Sequence, residues 1–539
     1  MTQPMFAGRA HRPIRIRAAL AVAALVAVQS PAWAQYGGIQ FQPGPTGAPL
    51  WADQAAGYAQ QMRMLFGFGS GVGATIPAYQ SFPDAAGVTS TDQPGGSTST
   101  AGNPFFQSFG NGRTCTSCHA PAAGWSLTPP QIQALFYLSG GTNTLFEPVD
   151  GANCPSANTS SFQASLGAYS LLLNQGLIRI FEKVAPLPDL QYQITAITDP
   201  YSCSTNATTG LTAYGPGVTP AGFLSVYRRP LASTNLGVLS TILSDGRETT
   251  LNQQAIDANR IHAQATTLLT AAQAQQIVTF ESGLYSAQTY GNLAGDLTSN
   301  GATGGPVAFS QQPFAIGEND PFGANPTGAA FNPNVFTLFT AWQQTGGGGW
   351  TNGYNNNGWN NGGYGGYGGY GGYSETPSAS IAHGETLFNT QQFTISGVAG
   401  VNDVLGEPSI TGTCTTCHDA TNAGTHSVNL LMDTGAAAPG APGLNLSALP
   451  VFTLQCVAGP LAGQSFTTTD PGRAILSGQC ADIGRVKVLT LRNLAVRPPY
   501  FHNGSAPTLN AVVGFYNTRF NIGLTAQDQS DLVAFLNSI

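Results

Sequence analysis

The sequence carries few charged residues: Lys, Arg, Asp and Glu together make up 8% of its 539 residues. That share is about a third of the usual one in soluble domains. The 18 basic residues are outnumbered by 25 acidic residues, so the formal net charge is −7. A chain this poor in basic side chains is not suited to bind the phosphates of nucleic acids. We therefore expect no nucleic-acid partner.

The sequence also lacks an apolar run of the roughly 20 residues that a membrane-spanning helix needs. Its most apolar run, residues 18–28, follows four arginines and precedes Ala-Trp-Ala at residues 32–34. This order predicts a cleaved secretory signal at residues 1–34 and no membrane span. We expect a periplasmic or secreted protein, whose formal charge becomes −11 once the four arginines are removed.

Two short motifs carry the clearest chemical information. Residues 115–119 read CTSCH and residues 414–418 read CTTCH. In a CxxCH motif the two thiols bind the haem vinyl groups and the adjacent imidazole binds the iron. A zinc site or a redox CxxC pair is the alternative, but a His in both motifs and the export signal favour haem. We therefore predict two covalently bound c-type haems. Their predicted attachment residues and iron ligands are Cys115, Cys118, His119, Cys414, Cys417 and His418.

The remaining four cysteines follow the motifs in two pairs. In an oxidising compartment the simplest arrangement is two disulfides, Cys154 to Cys203 and Cys456 to Cys480. The sequence alone does not prove this connectivity.

A change in composition divides the chain. Residues 346–373 contain Gly, Tyr, Asn and Trp without charge or apolar periodicity, which predicts a disordered insert. It separates a predicted N-terminal haem domain, residues 35–345, from a C-terminal haem domain, residues 374–539. We expect one haem in each domain.

Helical patterns are more evident than strand patterns. Periodicity and capping residues predict helices at residues 130–138, 252–280 as one or two helices, 381–388 and 525–536. No strand series of sandwich length is apparent. The expected fold class is therefore mainly α, as two c-type cytochrome domains with extensive irregular loops.

The segments around these motifs resemble a known family. Residues 491–493 (LRN), 499–505 (PYFHNGS) and 515–517 (FYN), with both CxxCH motifs, resemble the bacterial di-haem cytochrome c peroxidase and MauG superfamily. Residues 245–248 (DGRE) and the helix behind them are similar to the same family.

Three further segments resemble a longer branch of this superfamily, which includes rubber oxygenases and BthA-like di-haem enzymes. They are residues 150–155 (DGANCP), 228–230 (RRP) and 470–474 (DPGRA).

The resemblance implies peroxide chemistry at the N-terminal haem of His119 and electron transfer or charge storage at the C-terminal haem of His418. The position of the family's sixth ligand to the second iron, Met in peroxidases and Tyr in MauG-like enzymes, is Tyr516. A phenolate favours ferric and higher oxidation states, whereas a thioether favours ferrous iron. If Tyr516 is only a core residue, Met432 or His426 is the replacement ligand.

On the distal side of the first haem the family places a Gln and, ten residues later, a Glu. Gln254 matches the first, but the second position is Gln264, whose amide does not exchange a proton at ordinary pH. His262 is the candidate acid or base in its place, and Glu248 is a weaker candidate.

Two further positions depart from the family. Ser244 occupies the position of a Trp between the haems. The family's calcium ligands fall near Arg228 and Arg497, whose guanidinium groups repel a cation and suit haem propionates instead, so we do not predict calcium.

These observations predict a di-haem peroxidase that reduces hydrogen peroxide at the N-terminal haem and stores or relays oxidising equivalents at the C-terminal haem. The electron donor or protein substrate is not identified by any motif. Two alternatives stay open: dioxygen-dependent cleavage of a hydrophobic polymer, as in rubber oxygenases, and a di-haem electron carrier.

Overall fold

The structure is a computed structural model. It describes residues 75–185, 189–203, 223–343 and 376–539. The predicted signal at residues 1–34 and the predicted insert at residues 346–373 lie outside the described residues.

Eleven α-helices form within the described residues. Their bounds are Pro129–Ser139 (α1), Phe162–Ala168 (α2), Ser170–Gln175 (α3), Leu251–Ile261 (α4), Ala271–Ser282 (α5), Gly305–Ser310 (α6), Pro377–Thr390 (α7), Asn402–Leu405 (α8), Ala474–Ser477 (α9), Leu509–Arg519 (α10) and Ala526–Leu536 (α11). The predicted helices are confirmed as α1, α4 with α5, α7 and α11. None of the helices is long and apolar enough to cross a membrane.

The helix boundaries follow from the capping residues. The Thr250 hydroxyl accepts from Gln253 N at the start of α4. Helix α4 ends at Ile261, and Gln264, three residues later, has a positive φ of 50°. Thr525 and Asp528 form a reciprocal capping box at the start of α11. Each cap pairs backbone N–H groups that have no partner within the helix.

Fifteen short strands accompany the helices. Their bounds are Thr75–Ile76 (β1), Tyr79–Pro83 (β2), Gly87–Asp92 (β3), Thr98–Ser99 (β4), Ile178–Lys183 (β5), Tyr192–Thr198 (β6), Phe223–Arg228 (β7), Tyr285–Gly291 (β8), Gly295–Asp296 (β9), Phe393–Ser396 (β10), Ser409–Gly412 (β11), Leu431–Met432 (β12), Val451–Cys456 (β13), Ser465–Thr468 (β14) and Val486–Lys487 (β15). The largest sheets have the orders β2-β3-β8-β9 and β14-β13-β6. The pairs β1-β4, β5-β7, β10-β11 and β12-β15 form two-stranded sheets.

The predicted mainly α fold class is wrong. Only 30% of the described residues are helical, and 18% lie in strands distributed over several sheets. The strands were missed because many are short and polar. In β3, Thr89, Ser90 and Thr91 are all buried, and the Thr91 and Ser286 hydroxyls form a cross-strand hydrogen bond of 2.7 Å. Such strands show no alternation of apolar and polar residues.

One sheet joins the two halves of the chain. Strand β6, from the first half, pairs antiparallel with β13 from the second half, and Ile194 lies opposite Leu454. Both predicted disulfides are confirmed. Cys154 to Cys203 lies in the first half, and Cys456 to Cys480 links the end of β13 to residues before β15.

A helical core lies behind the second CxxCH motif. Helices α7 and α11 pack closely because Gly384 has no side chain; a Cβ at this position would lie 2.0 Å from Asp531 O. Phe388 of α7 contacts Phe535 of α11, and its ring centroid lies 6.0 Å from that of His418. The core therefore fixes the backbone around this motif.

Candidate active site

Both CxxCH motifs line one continuous cavity of about 450 Å³. The motif cysteines Cys115, Cys118, Cys414 and Cys417 are free thiols, whereas the other four cysteines form disulfides. The thiols that haem attachment requires are therefore available and face a shared space.

The two motifs have the same local geometry. Each forms a short 3-10 turn, Cys115–Ser117 and Cys414–Thr416. In the first motif, Ser117 Oγ accepts from Thr114 N at 3.0 Å. In the second motif, Thr416 Oγ1 accepts from Thr413 N at the same distance. The turn brings the two thiols to one side and leaves the following His at its end.

Each motif His is oriented by a carbonyl six residues later. His119 Nδ1 lies 3.1 Å from Trp125 O, and His418 Nδ1 lies 2.5 Å from Gly424 O. Because a carbonyl only accepts, Nδ1 must donate, which leaves Nε2 of each ring as the acceptor. Burial lowers the pKa of both imidazoles to about 4. Both rings are therefore neutral and suited to bind iron through Nε2.

Three buried cations in the cavity wall have no carboxylate partner. Burial lowers the pKa of Lys487 to about 7 and that of Arg497 to about 10. Burial and the charge of Arg497 lower the pKa of Arg229 to about 9. Among the described residues, no Asp or Glu lies within 4.0 Å of these groups, and Arg229 and Arg497 donate only to backbone carbonyls. Anionic propionates would satisfy these charges, so the cavity fits haem.

Arg228 differs from Arg497, although sequence reasoning assigned both to propionates. It lines the cavity, but its guanidinium donates to Asp470 Oδ2 at 2.6 Å and also pairs with Asp245. Its charge is already neutralised by two buried carboxylates that belong to different halves of the chain.

Helix α4 presents a polar face to the cavity near the first motif. Gln254 and His262, eight residues apart, both line it, as expected for positions separated by two helical turns. Gln264 is exposed beyond the end of the helix and is absent from the cavity wall. Glu248 is also absent from the wall; its charge interacts with that of Asp257. The structure therefore brings together His119, Gln254 and His262.

A buried ion pair orients His262. Its Nδ1 lies 2.7 Å from Asp150 Oδ2, and Arg113 Nη1 lies 2.6 Å from Asp150 Oδ1. Burial alone would raise the pKa of Asp150, but Arg113 and His262 outweigh it and lower the pKa. An ionised Asp150 accepts from Nδ1 of His262, so Nε2 of His262 is left to exchange a proton at the cavity.

Sequence reasoning missed two residues of this wall. The two polar side-chain atoms of Asn259, Oδ1 and Nδ2, are buried without a hydrogen-bond partner. Glu281 on α5 is 6% exposed, and burial raises its pKa to about 7 despite a hydrogen bond to Ser233. Helical spacing from His262 could have found Asn259, three residues earlier. No local signal marks Glu281, because its position depends on how α5 packs.

Two of the three candidate sixth ligands near the second motif line the cavity: Tyr516 on α10 and Met432 on β12. Burial and the Cys417 thiol raise the pKa of Tyr516, while a hydrogen bond to Thr434 opposes them. His426 is not part of the wall.

Ser244 lines the cavity, and its carbonyl accepts from Lys487 N.

Comparison with known proteins gives short matches to peroxidases, whereas no protein-family model matches the chain. The chain is 41% identical over 75 residues to cytochrome c peroxidase Ccp of Escherichia coli (strain K12), covering 14% of this chain and 16% of that protein. It is 38% identical over 69 residues to cytochrome-c peroxidase IdrP1 of Denitromonas iodatirespirans, covering 11% and 18%. It is 35% identical over 99 residues to cytochrome c551 peroxidase of Nitrosomonas europaea, covering 16% and 30%.

The chain thus spans less than a third of the length of each of these relatives. Their names agree with the resemblance to cytochrome c peroxidases. They do not name a rubber oxygenase or a BthA-like enzyme, so the longer branch stays a prediction.

Proposed function

We propose that this chain is an exported di-haem c-type peroxidase that reduces hydrogen peroxide near His119. The observation that carries the proposal is the single cavity lined by both CxxCH motifs and by the His262 that Asp150 orients. An electron carrier has no need for a proton-exchanging pair in its haem cavity.

The residues that would hold the cofactors are those of the two motifs, with Arg229, Arg497 and Lys487 as partners of the propionates. A c-type haem held by Cys115, Cys118 and His119 would supply iron that binds peroxide and donates electrons for cleavage of the O–O bond. Reduction of one peroxide to two waters also consumes two protons and two electrons, and the electrons come from a donor that the sequence does not identify.

The chain supplies the proton transfers. His262 Nε2 accepts the proton of the bound peroxide and returns it to the leaving oxygen, while Asp150 keeps Nδ1 protonated. The Gln254 amide and the unpartnered Asn259 amide offer hydrogen bonds that position the peroxide. Glu281 is a second proton source, because its pKa of about 7 leaves it partly protonated at neutral pH.

The C-terminal half would hold the second oxidising equivalent. His418 and Tyr516 would hold the second haem, and a phenolate ligand would favour ferric and higher oxidation states of its iron. Met432 lines the same cavity and is the alternative ligand.

The ferric protein's optical and EPR spectra, recorded before and after one equivalent of hydrogen peroxide, test the proposal. We expect one high-spin and one low-spin haem, with both Soret bands changing together on peroxide addition without prior reduction. Two low-spin haems that ignore peroxide, even after half-reduction, would contradict a peroxidase and favour an electron carrier.

A further inference from the structure

A buried cluster of potential metal ligands lies outside the haem cavity. Asp320, Asp419 and His426 each place a ligand atom within 4.8 Å of the others, and all three are buried. Among the described residues, this is the only group of three or more His, Cys, Asp or Glu side chains with such geometry. None of the three lines the haem cavity.

The hydrogen bonds of Asp419 place a proton on Nδ1 of His426. Asp419 Oδ1 lies 2.9 Å from His426 Nδ1 and accepts from Ser427 N at 2.7 Å, and Oδ2 accepts from Ser427 Oγ at 2.8 Å. Because a carboxylate accepts, His426 Nδ1 carries the proton. Nε2 of a neutral His426 therefore keeps its lone pair, which is the arrangement found in carboxylate–histidine–metal sites.

Two buried polar atoms of the cluster face each other without a hydrogen-bond partner. His426 Nε2 and Asp320 Oδ1 lie 3.9 Å apart, and their side chains are 2% and 0% exposed. Neither atom has a hydrogen-bond partner, although Asp320 Oδ2 accepts from Phe322 N and Ala324 N. Buried polar atoms are normally satisfied, so this pair requires a donor or a cation between them.

The charge of the cluster also favours a bound cation. Within the described part of the chain, no Lys or Arg lies within 4.0 Å of Asp320 or Asp419; their only such partner is His426. Burial raises the pKa of Glu318, and the nearby charge of Asp419 adds to this rise; Glu318 Oε1 is also buried and unpartnered. Uncompensated buried carboxylates are strongly unfavourable.

We propose that Asp320 Oδ1 and His426 Nε2 bind one divalent transition-metal ion, with Asp419 as a further carboxylate that orients His426. Mixed imidazole and carboxylate donors suit Zn²⁺ or Mn²⁺ better than Ca²⁺, which prefers oxygen ligands alone. An ion that lies about 2.0–2.2 Å from each ligand atom fits between Asp320 Oδ1 and His426 Nε2, which are 3.9 Å apart. The ion would tie residues 317–324 to His426, which is oriented by Asp419, the residue directly after His418.

Metal content of the holoprotein tests the site. Protein purified without an affinity tag or chelator is analysed by mass spectrometry for metals, with haem iron quantified separately. We expect about one non-iron divalent ion per chain. After dialysis against EDTA, titration calorimetry with Zn²⁺ alone should show one saturable site, and added Zn²⁺ should raise the midpoint of thermal unfolding.

Matched variants locate the ion. Asp320→Asn and His426→Gln should each lower the bound ion at least tenfold while haem content stays unchanged. His383→Gln is the control, because His383 Nδ1 also lies close to a buried carboxylate, Asp531 Oδ2 at 2.8 Å, outside any three-ligand group. It should retain the ion.

Either of two results would overturn the proposal. One is a wild-type protein with less than a tenth of an ion per chain and no saturable binding of Zn²⁺ or Mn²⁺ after dialysis. The other is equal metal content in both site variants, the control and the wild type. If the site variants fail to fold, the calorimetry and thermal unfolding of the wild type still decide.

Discussion

His262 is the residue on which the proposed proton transfer depends, and its replacement gives the sharpest test. His262→Gln keeps a polar side chain of similar reach but removes the group that exchanges a proton at the cavity. General acid–base catalysis by one positioned side chain contributes about 10²- to 10⁴-fold in rate. This corresponds to about 3–5 kcal/mol in the activation barrier.

The structure supports a value within that range. His262 Nδ1 lies 2.7 Å from Asp150 Oδ2, and Asp150 is itself held by Arg113 at 2.6 Å. The imidazole is therefore oriented before peroxide binds, and little of the effect is lost to reorientation. We expect His262→Gln to lower kcat/KM for hydrogen peroxide by about 10²- to 10⁴-fold.

Stopped-flow measurement of Soret changes against peroxide concentration provides the assay. Gln264→Ala is the matched control, because Gln264 occupies the family's acid position in the sequence but is exposed and absent from the cavity wall. It should change kcat/KM less than twofold, and added imidazole should partly restore His262→Gln. A loss under tenfold in His262→Gln, or an equal loss in Gln264→Ala, would refute the assignment.

Three further predictions concern other cavity residues. Tyr516→Phe should change the EPR signal of the second haem while Met432→Leu leaves it unaltered; the reverse result assigns Met432 as ligand. Burial raises the pKa of Glu281 from 4.5 to about 7, so the folded protein holds this proton more tightly than the unfolded chain does. The resulting stabilisation is complete below pH 4.5 and is lost as the pH rises through about 7. In urea unfolding, Glu281→Gln should remove this decline, worth about 3 kcal/mol; an unchanged pH slope contradicts it. Arg497→Met should lower one haem potential in spectroelectrochemical titration, by about 60 mV if the propionate pair contributes about 1.4 kcal/mol; unchanged potentials would exclude the pair.

Local signals allowed part of this site to be predicted. The CxxCH spacing identifies thiols and ligands within five residues, and the structure brings both motifs to one cavity. Helices α1, α7 and α11 were found because periodicity and caps such as Thr525 are also local. The pairing of the other cysteines is the simplest one for their order along the chain, although the sequence alone does not prove it.

Long-range packing accounts for what was missed. The strands β3 and β8 bury hydroxyl groups whose partners lie on distant segments of the chain, so neither strand has an apolar pattern of its own. Glu281 reaches the cavity only because α5 packs beside the first motif. Counting ten residues from Gln254 selected Gln264 as the position of the family's distal acid. Helix α4 ends before Gln264, however, and the Gln264 side chain is exposed to solvent.

The shared sheet restricts how such a protein can evolve. Strand β13 pairs on one side with β14 from its own half and on the other with β6 from the first half. A recombination event at the junction between the halves would have to preserve this register, or leave β13 with an unpaired edge open to aggregation. The two halves, each with its own CxxCH motif, are therefore expected to be inherited together rather than exchanged as separate modules.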